Sequence, residues 1–299
     1  MRLLLLGAEG QLGRHLSPRL SAIGELISSG RAGGDKPCDL ASAKQLSTLL
    51  NTVQPKVVIN AAAWTAVDAA EDQPRAARLL NTELPDQLAG WCQRHDALLV
   101  HYSTDYVFDG HPGRAWREDD ATAPASVYGR TKLDGELAIR ASGARALILR
   151  TAWLYSACPG NFLSAILARA AQGESLRVVS DQYGSPTWAG SLAAVTGDLL
   201  QRVDGWHDDD PRAMVLHAVD RGQMSWHEFA VMAVQTAAQY GVIEQPVEVA
   251  AIDSGQWPQK AKRPSWSVLD LGALETLLGR ALATTQQALT ACIKQWNRQ

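Results

Sequence analysis

A run of four leucines ends in three evenly spaced glycines: residues 3–16 read LLLLGAEGQLGRHL. A short, unbroken apolar run marks a strand buried on both faces. Gly7, Gly10 and Gly13 then fall at the exit from that strand and in the first turn of the helix that follows. Gly7 permits the tight exit, Gly10 lets the backbone approach a ligand, and Gly13 lets the helix pack close to the sheet. The helix N-terminus adds free N–H groups and the positive end of its dipole, a pairing that favours phosphate. G-x-x-G-x-x-G at a first strand–helix junction is a variant of the dinucleotide fingerprint. It confines the chain to an α/β fold of Rossmann type.

The rest of the chain keeps that rhythm. Further apolar runs follow at ELIS (25–28), VVIN (57–60), LLVHYS (98–103), ALILRT (146–151), LRVV (176–179) and MVLH (214–217). Helical patterns separate them at 42–53, 86–95, 128–141 and 161–173. The alternation predicts a doubly wound, mostly parallel sheet. Past residue 220 it is lost, and Ser225 with Glu228 reads as a capping box opening a helix. The expected organisation is a dinucleotide-binding domain over 1–150, rejoined at about 176–220. Residues 151–175 and 221–299 then form a smaller C-terminal α/β region that binds substrate at the carboxyl ends of the strands.

A net charge of −3 gives no electrostatic case for nucleic acid or an anionic membrane as partner. No stretch reaches the length of a membrane span, and the opening apolar run is too short for a secretion signal. Cys38, Cys92, Cys158 and Cys292 are scattered, as expected of reduced thiols in a cytoplasmic protein. Neither they nor the His residues show a metal-ligand spacing, so no metal is expected. The acidic run HDDDP (207–211) reads as a solvated loop.

At the end of the second strand an NAD site calls for an acidic residue. This chain has Ser28, Ser29, Gly30 and Arg31 there. Small hydroxyls and an Arg suit a 2′-phosphate, which predicts NADPH preferred and NADH possible. Asp39 lies further on, as a cofactor contact or as a cap of the helix beginning near Ser42. After the third strand, Ala61–Ala63 leave room for a cofactor to pass.

The stretch VYGRTK places Tyr128 and Lys132 four residues apart, stacked on one helix face with Ser126 as the N-cap. An ammonium beside a phenol lowers its pKa and makes it a usable proton donor. The fourth strand brings a hydroxyl to the same side, Thr104 or alternatively Ser103, with Asp105 next to it. Trp153, in LRTAWLY, falls just past the carboxyl end of the next strand. Arg263, in KRPSW, reads either as a clamp for a diphosphate or as a solvated charge.

Hydroxyl, Tyr and Lys in that order after a glycine turn is the arrangement of the short-chain dehydrogenase/reductase superfamily. NAAAWTAVDAAE, HYSTDYVFDG, VYGRTKLDGE, LRTAWLY, DQYGSPT and KRPSWSVLD together resemble the dTDP-4-dehydrorhamnose reductase family, from the glycine turn to Leu269. The resemblance implies reduction of the C4 ketone of dTDP-4-dehydro-L-rhamnose to dTDP-L-rhamnose. Hydride would come from the nicotinamide and the proton from Tyr128. Lys132 would hold the nicotinamide ribose and keep the Tyr pKa low, and Thr104 would bond the sugar carbonyl. Cofactor contacts would fall on Gly10, Gln11, Leu12, Asp39, Leu40, Ala63, Trp64, Thr65 and Tyr102. Contacts to the nucleotide sugar would fall on Thr104, Asp105 and Trp153.

Two departures stand out. Some members end the second strand with Asp, where this chain has Gly30. Some dimerise through a metal held by carboxylates, whereas the matching positions here are His15, Gly190 and Cys292, poor ligands for magnesium. A monomer, or a homodimer made another way, is expected. Two rival readings share the fold: a nucleotide-sugar epimerase or dehydratase with tightly held NAD, and a non-catalytic dinucleotide-binding regulatory subunit. The missing acidic residue disfavours the first, and the intact Tyr–Lys pair the second.

Overall fold

The computed structural model describes residues 1–111, 113–202, 212–257 and 259–296; the run HDDDP lies outside the described residues. The strands β1 (Arg2–Leu6), β2 (Glu25–Ser29), β3 (Val57–Asn60), β4 (Leu98–Thr104) and β5 (Ala146–Thr151) join a sixth, Ala213–His217, in one parallel sheet. The spatial order is β2-β1-β3-β4-β5 and then Ala213–His217. Alternate leucines of β1 serve opposite cores. Leu3 and Leu5 pack with the helices α1 (Gln11–Ser21) and Ala189–Leu200. Leu4 and Leu6 pack with α2 (Ala43–Val53) and Leu84–Arg94. The period-two alternation of a strand explains how one leucine run feeds both layers.

The direction of chain progression reverses between β1 and β3, and their ends open a crevice there. Gly7 leaves β1 at φ 78°, a conformation favouring glycine, and a Cβ on it would lie 2.8 Å from the Ala62 amide nitrogen. Gly13 packs its helix so closely that a Cβ would collide with the Gly7 carbonyl.

A third core lies beyond the strand ends. The helices Phe162–Ala170, Trp226–Gln239 and Thr285–Trp296 meet over Leu163, Leu176, Phe229 and Ile293. The Ser225–Glu228 capping box is present, with Glu228 N–H donating to Ser225 Oγ at 3.1 Å. The expectation for LRVV is corrected here. Leu176–Val179 lies outside the large sheet and pairs in parallel with Val249–Ile252. Leu176, Val178 and Val179 are buried but Arg177 is exposed, so the strand is not covered on both faces as the central strands are. It belongs with the C-terminal core. Around residue 260, Arg263 ties this part of the chain to Asp68 of the helix Val67–Asp72, at 2.7 Å.

Gly13→Ala is expected to destabilise the protein by about 1–3 kcal/mol through overpacking. Thermal unfolding measures it as a drop of several degrees, with weaker dinucleotide binding alongside.

Candidate active site

The strand ends, the helix Val127–Ala141 and the third core enclose a cleft of about 1010 Å³. Ser126 caps that helix, accepting from Gly129 N–H at 3.1 Å. Thr104, Tyr128 and Lys132 all line the cleft. Thr104 ends β4, where its Oγ1 donates to Asp105 Oδ1 at 3.0 Å and accepts from Tyr106 N–H at 3.2 Å. The alternative hydroxyl is already engaged: Ser103 is bonded to Glu136. Glu136 also pairs with Arg150 at 2.8 Å, both fully buried.

Lys132 Nζ donates to the Tyr102 carbonyl at 2.6 Å and lies 3.3 Å from His101 Nε2. Burial pulls its ammonium down to about 8, against the upward pull of the Glu136 carboxylate. The expected lowering of the Tyr128 pKa is not found. Burial pushes the phenol up to about 12, with the Thr104 hydroxyl pulling the other way and the Asp105 carboxylate pushing further up. Desolvation of the phenolate sets the direction, and the Lys132 ammonium turns to a backbone carbonyl instead.

At the other end of the cleft, Gly10 is the N-cap of α1, with no side-chain cap and no acidic residue in the first turn. The free N–H groups there suit a pyrophosphate. Gly7, Gly10, Gln11, Leu12, Arg31, Asp39, Leu40, Ala63 and Thr65 all line this end. Gln11 spends its side chain on the Leu154 carbonyl at 2.9 Å. Asp39 accepts from Ala41 N–H at 3.1 Å, but the N-cap of α2 is Ser42.

Two predicted contacts lie off the cleft wall. Gly13 lies behind the cleft as a packing residue. Trp64 is not on the wall: its backbone N–H and carbonyl are held by Asn81, at 2.9 and 3.1 Å, and its indole donates to Ala66. Tyr102 does line the cleft, with its phenol bonded to Thr196, 2.8 Å away.

On the sugar side, Trp153 stacks on Trp226 with ring centroids 3.5 Å apart. Its φ of 45° is strained for a non-glycine residue, and the close Gly184 leaves no room for a side chain beneath the indole. Asp105 is buried at the cleft, and Arg263 lines it with its charge already paired to Asp68. Arg263 is thus neither solvated nor free. Glu9 escaped the sequence reading. It sits in the glycine turn, and its carboxylate lies so close to Gly30 and Gly33 that a Cβ on either would collide with it. Such proximity between segments over twenty residues apart leaves no periodic trace.

A family model described as the RmlD substrate binding domain matches residues 1–298. A Burkholderia thailandensis protein named dTDP-4-dehydrorhamnose reductase is 36% identical over 98% of this chain and 98% of its own. The chain belongs to the dTDP-4-dehydrorhamnose reductase family. It is an oxidoreductase on a Rossmann-type fold. The crystal structure of the Clostridium acetobutylicum family member has 34% identity and a TM-score of 0.88, covering 99% of this chain and 100% of that one. A Bacillus anthracis member solved in complex with NADP has 27% identity and a TM-score of 0.87, covering 98% of this chain and 99% of its own. The uncapped α1 N-terminus and the glycine-lined exit from β1 are features that fit such a dinucleotide.

Burial pushes Asp105 up to about 7, despite the opposing bonds from Ser267 and Thr104. The folded state therefore keeps this proton until about pH 7, whereas an unfolded chain releases it near about pH 3.9. Stability falls as pH rises through that window, on the order of 1 kcal/mol per pH unit. Asp105→Asn removes the effect. Thermal unfolding of both proteins between about pH 4.5 and pH 8 should show the variant gaining on the parent as pH rises.

Proposed function

We propose that this oxidoreductase reduces the C4 ketone of dTDP-4-dehydro-L-rhamnose to dTDP-L-rhamnose, with NADPH preferred and NADH accepted. One observation carries the reading. Thr104, Tyr128 and Lys132 stand together on the wall of a cleft whose other end is the glycine turn. The bound dinucleotide supplies the hydride. Tyr128, with its pKa near 12, stays protonated at neutral pH and donates to the carbonyl oxygen as charge develops on it. An alkoxide is a stronger base than a phenolate, so the high pKa suits the reductive direction. Thr104 orients the carbonyl oxygen, and Lys132 holds ribose hydroxyls. Asp105 and the Trp153–Trp226 stack form the sugar side. Arg177, exposed on its strand in the cleft wall, is the cation offered to the diphosphate, since Arg263 is engaged by Asp68. The same reading places the enzyme in the cytoplasm as a monomer or homodimer.

The purified protein, given the ketosugar nucleotide, is expected to oxidise one NADPH per dTDP-L-rhamnose formed. Turnover without added reductant would instead favour the epimerase or dehydratase reading. Tyr128→Phe should lower kcat by about 100-fold or more while leaving the Kd for NADPH nearly unchanged; full activity would remove Tyr128 as the donor.

Cofactor choice rests on two opposed charges, Arg31 and Glu9, both in the cleft wall. Arg31→Ala should raise the KM for NADPH about tenfold and spare NADH. Glu9→Gln should move the kcat/KM ratio about threefold toward NADPH by removing an anion beside the 2′-phosphate. Asp in place of Gly30 would meet the carboxylate end of the exposed Glu9 side chain, which must swing aside to admit it.

A further inference from the structure

Thr104 has a hydroxyl with one proton to give and two lone pairs to fill. One lone pair accepts from Tyr106 N–H at 3.2 Å, and Asp105 Oδ1 lies 3.0 Å from the same oxygen. The direction of that second bond depends on the carboxyl. An ionised Asp105 only accepts, so it takes the Thr104 proton and leaves a lone pair toward the cleft. A lone pair there repels a ketone oxygen on which negative charge is growing. A neutral carboxyl reverses the bond. Its proton needs an acceptor, and Oδ1 has one in Thr104 Oγ1. Oδ2 is buried without a partner, and the neighbouring Ser267 hydroxyl turns to the Tyr183 carbonyl at 3.4 Å. With Oδ1 donating, both lone pairs of Thr104 are filled. The threonine proton is then free to point into the cleft, where the Tyr128 phenol also stands.

We propose that Asp105 is a positioning residue that acts through Thr104: its neutral carboxyl turns the Thr104 hydroxyl outward to donate to the substrate's carbonyl oxygen, and its ionised form turns that hydroxyl back. The catalytic use rests on the reductase reading; the direction of the hydroxyl does not. No extra proton is consumed, since Tyr128 gives the one the product keeps and those of Thr104 and Asp105 stay on their own oxygens. The surroundings favour the neutral acid. Asp105 is 2% exposed. Beside it in the chain is Tyr106, and from the helix Val127–Ala141 comes Tyr128; burial pushes both phenols up and keeps them neutral. From the segment 263–267 come Ser267 and Arg263, whose charge is taken by Asp68. The upward push on Asp105 agrees with this arrangement.

The test is a cycle of four proteins: the parent, Asp105→Asn, Thr104→Val and the double variant. Each is assayed for kcat/KM on the ketosugar from about pH 6 to pH 9. The Asn amide can offer Thr104 an N–H at every pH, as the neutral acid does. Asp105→Asn is therefore expected to stay near the parent at the acidic end and to exceed it about tenfold at the alkaline end. In the Thr104→Val background the same substitution should change neither end. An equal alkaline gain in both backgrounds would mean that the carboxylate acts on the substrate by charge alone, and it overturns the proposal; so does no gain in either. Lys132, its ammonium near 8, is present in all four proteins and cancels from the comparison. Thr104→Ser keeps the hydroxyl and should restore the alkaline gain. One arm needs no substrate: carbon NMR of aspartate-labelled parent should show Asp105 titrating near pH 7, and a midpoint below about pH 5 overturns the proposal. Should Asp105→Asn not fold, the parent's loss of activity through that midpoint is expected to be missing from Thr104→Val, and its persistence there overturns the proposal. A parent protein with the expected midpoint but no turnover of the ketosugar at any pH would count against the reductase reading alone.

Discussion

The reversal of strand order between β1 and β3 is the constraint on which the site depends. Parallel strands cannot close a sheet over that point, so their carboxyl ends stay open as a crevice. Everything that must reach into it lies at a strand end: Gly7 after β1, Ala61–Ala63 after β3, and Thr104 and Asp105 at β4. The approach is close enough that Gly7 and Gly13 have no space for a side chain. The leucines of β1 hold this edge rigid by feeding both cores at once.

The helix Val127–Ala141 completes the cleft and carries an unusual inner face. Tyr128, Lys132 and Glu136 follow one another at i, i+4 and i+8, and the last two are buried. Burying such charges is unfavourable unless partners are supplied. Arg150 from β5 meets Glu136, and the Tyr102 carbonyl from β4 meets Lys132. The stack thus places its uncompensated groups toward the cleft and its compensated ones toward the sheet. Removing a single partner from a buried pair typically costs about 3–5 kcal/mol, so these contacts also hold the helix Val127–Ala141 to the sheet.

Local rules made much of this legible. The glycine turn, the Ser126 cap, the Ser225–Glu228 box and the Tyr128–Lys132 spacing each lie within a few residues, and each is found in the fold. The departures involve distance along the chain. Leu176–Val179 has the apolar content of a central strand, yet Val249–Ile252 is its partner. Arg263 reads as a free cation until Asp68, 195 residues away, is beside it. The direction of the Tyr128 shift is equally non-local, since burial is set by the packing around the phenol rather than by its neighbour on the helix.

By itself the amino-acid order determined the alternation of strand and helix, the glycine turn after β1, and the Tyr128–Lys132 pairing on one helix face. Hydrophobic period, glycine freedom and capping are properties of short stretches, and they act before any packing. Only the tertiary structure decided which hydroxyl faces Tyr128, that Glu9 shares the cleft wall with Arg31, and that Asn60 and His101 stand behind Lys132. Those facts concern the meeting of segments and the exclusion of water between them, and a side chain's charge and bonding direction are settled there.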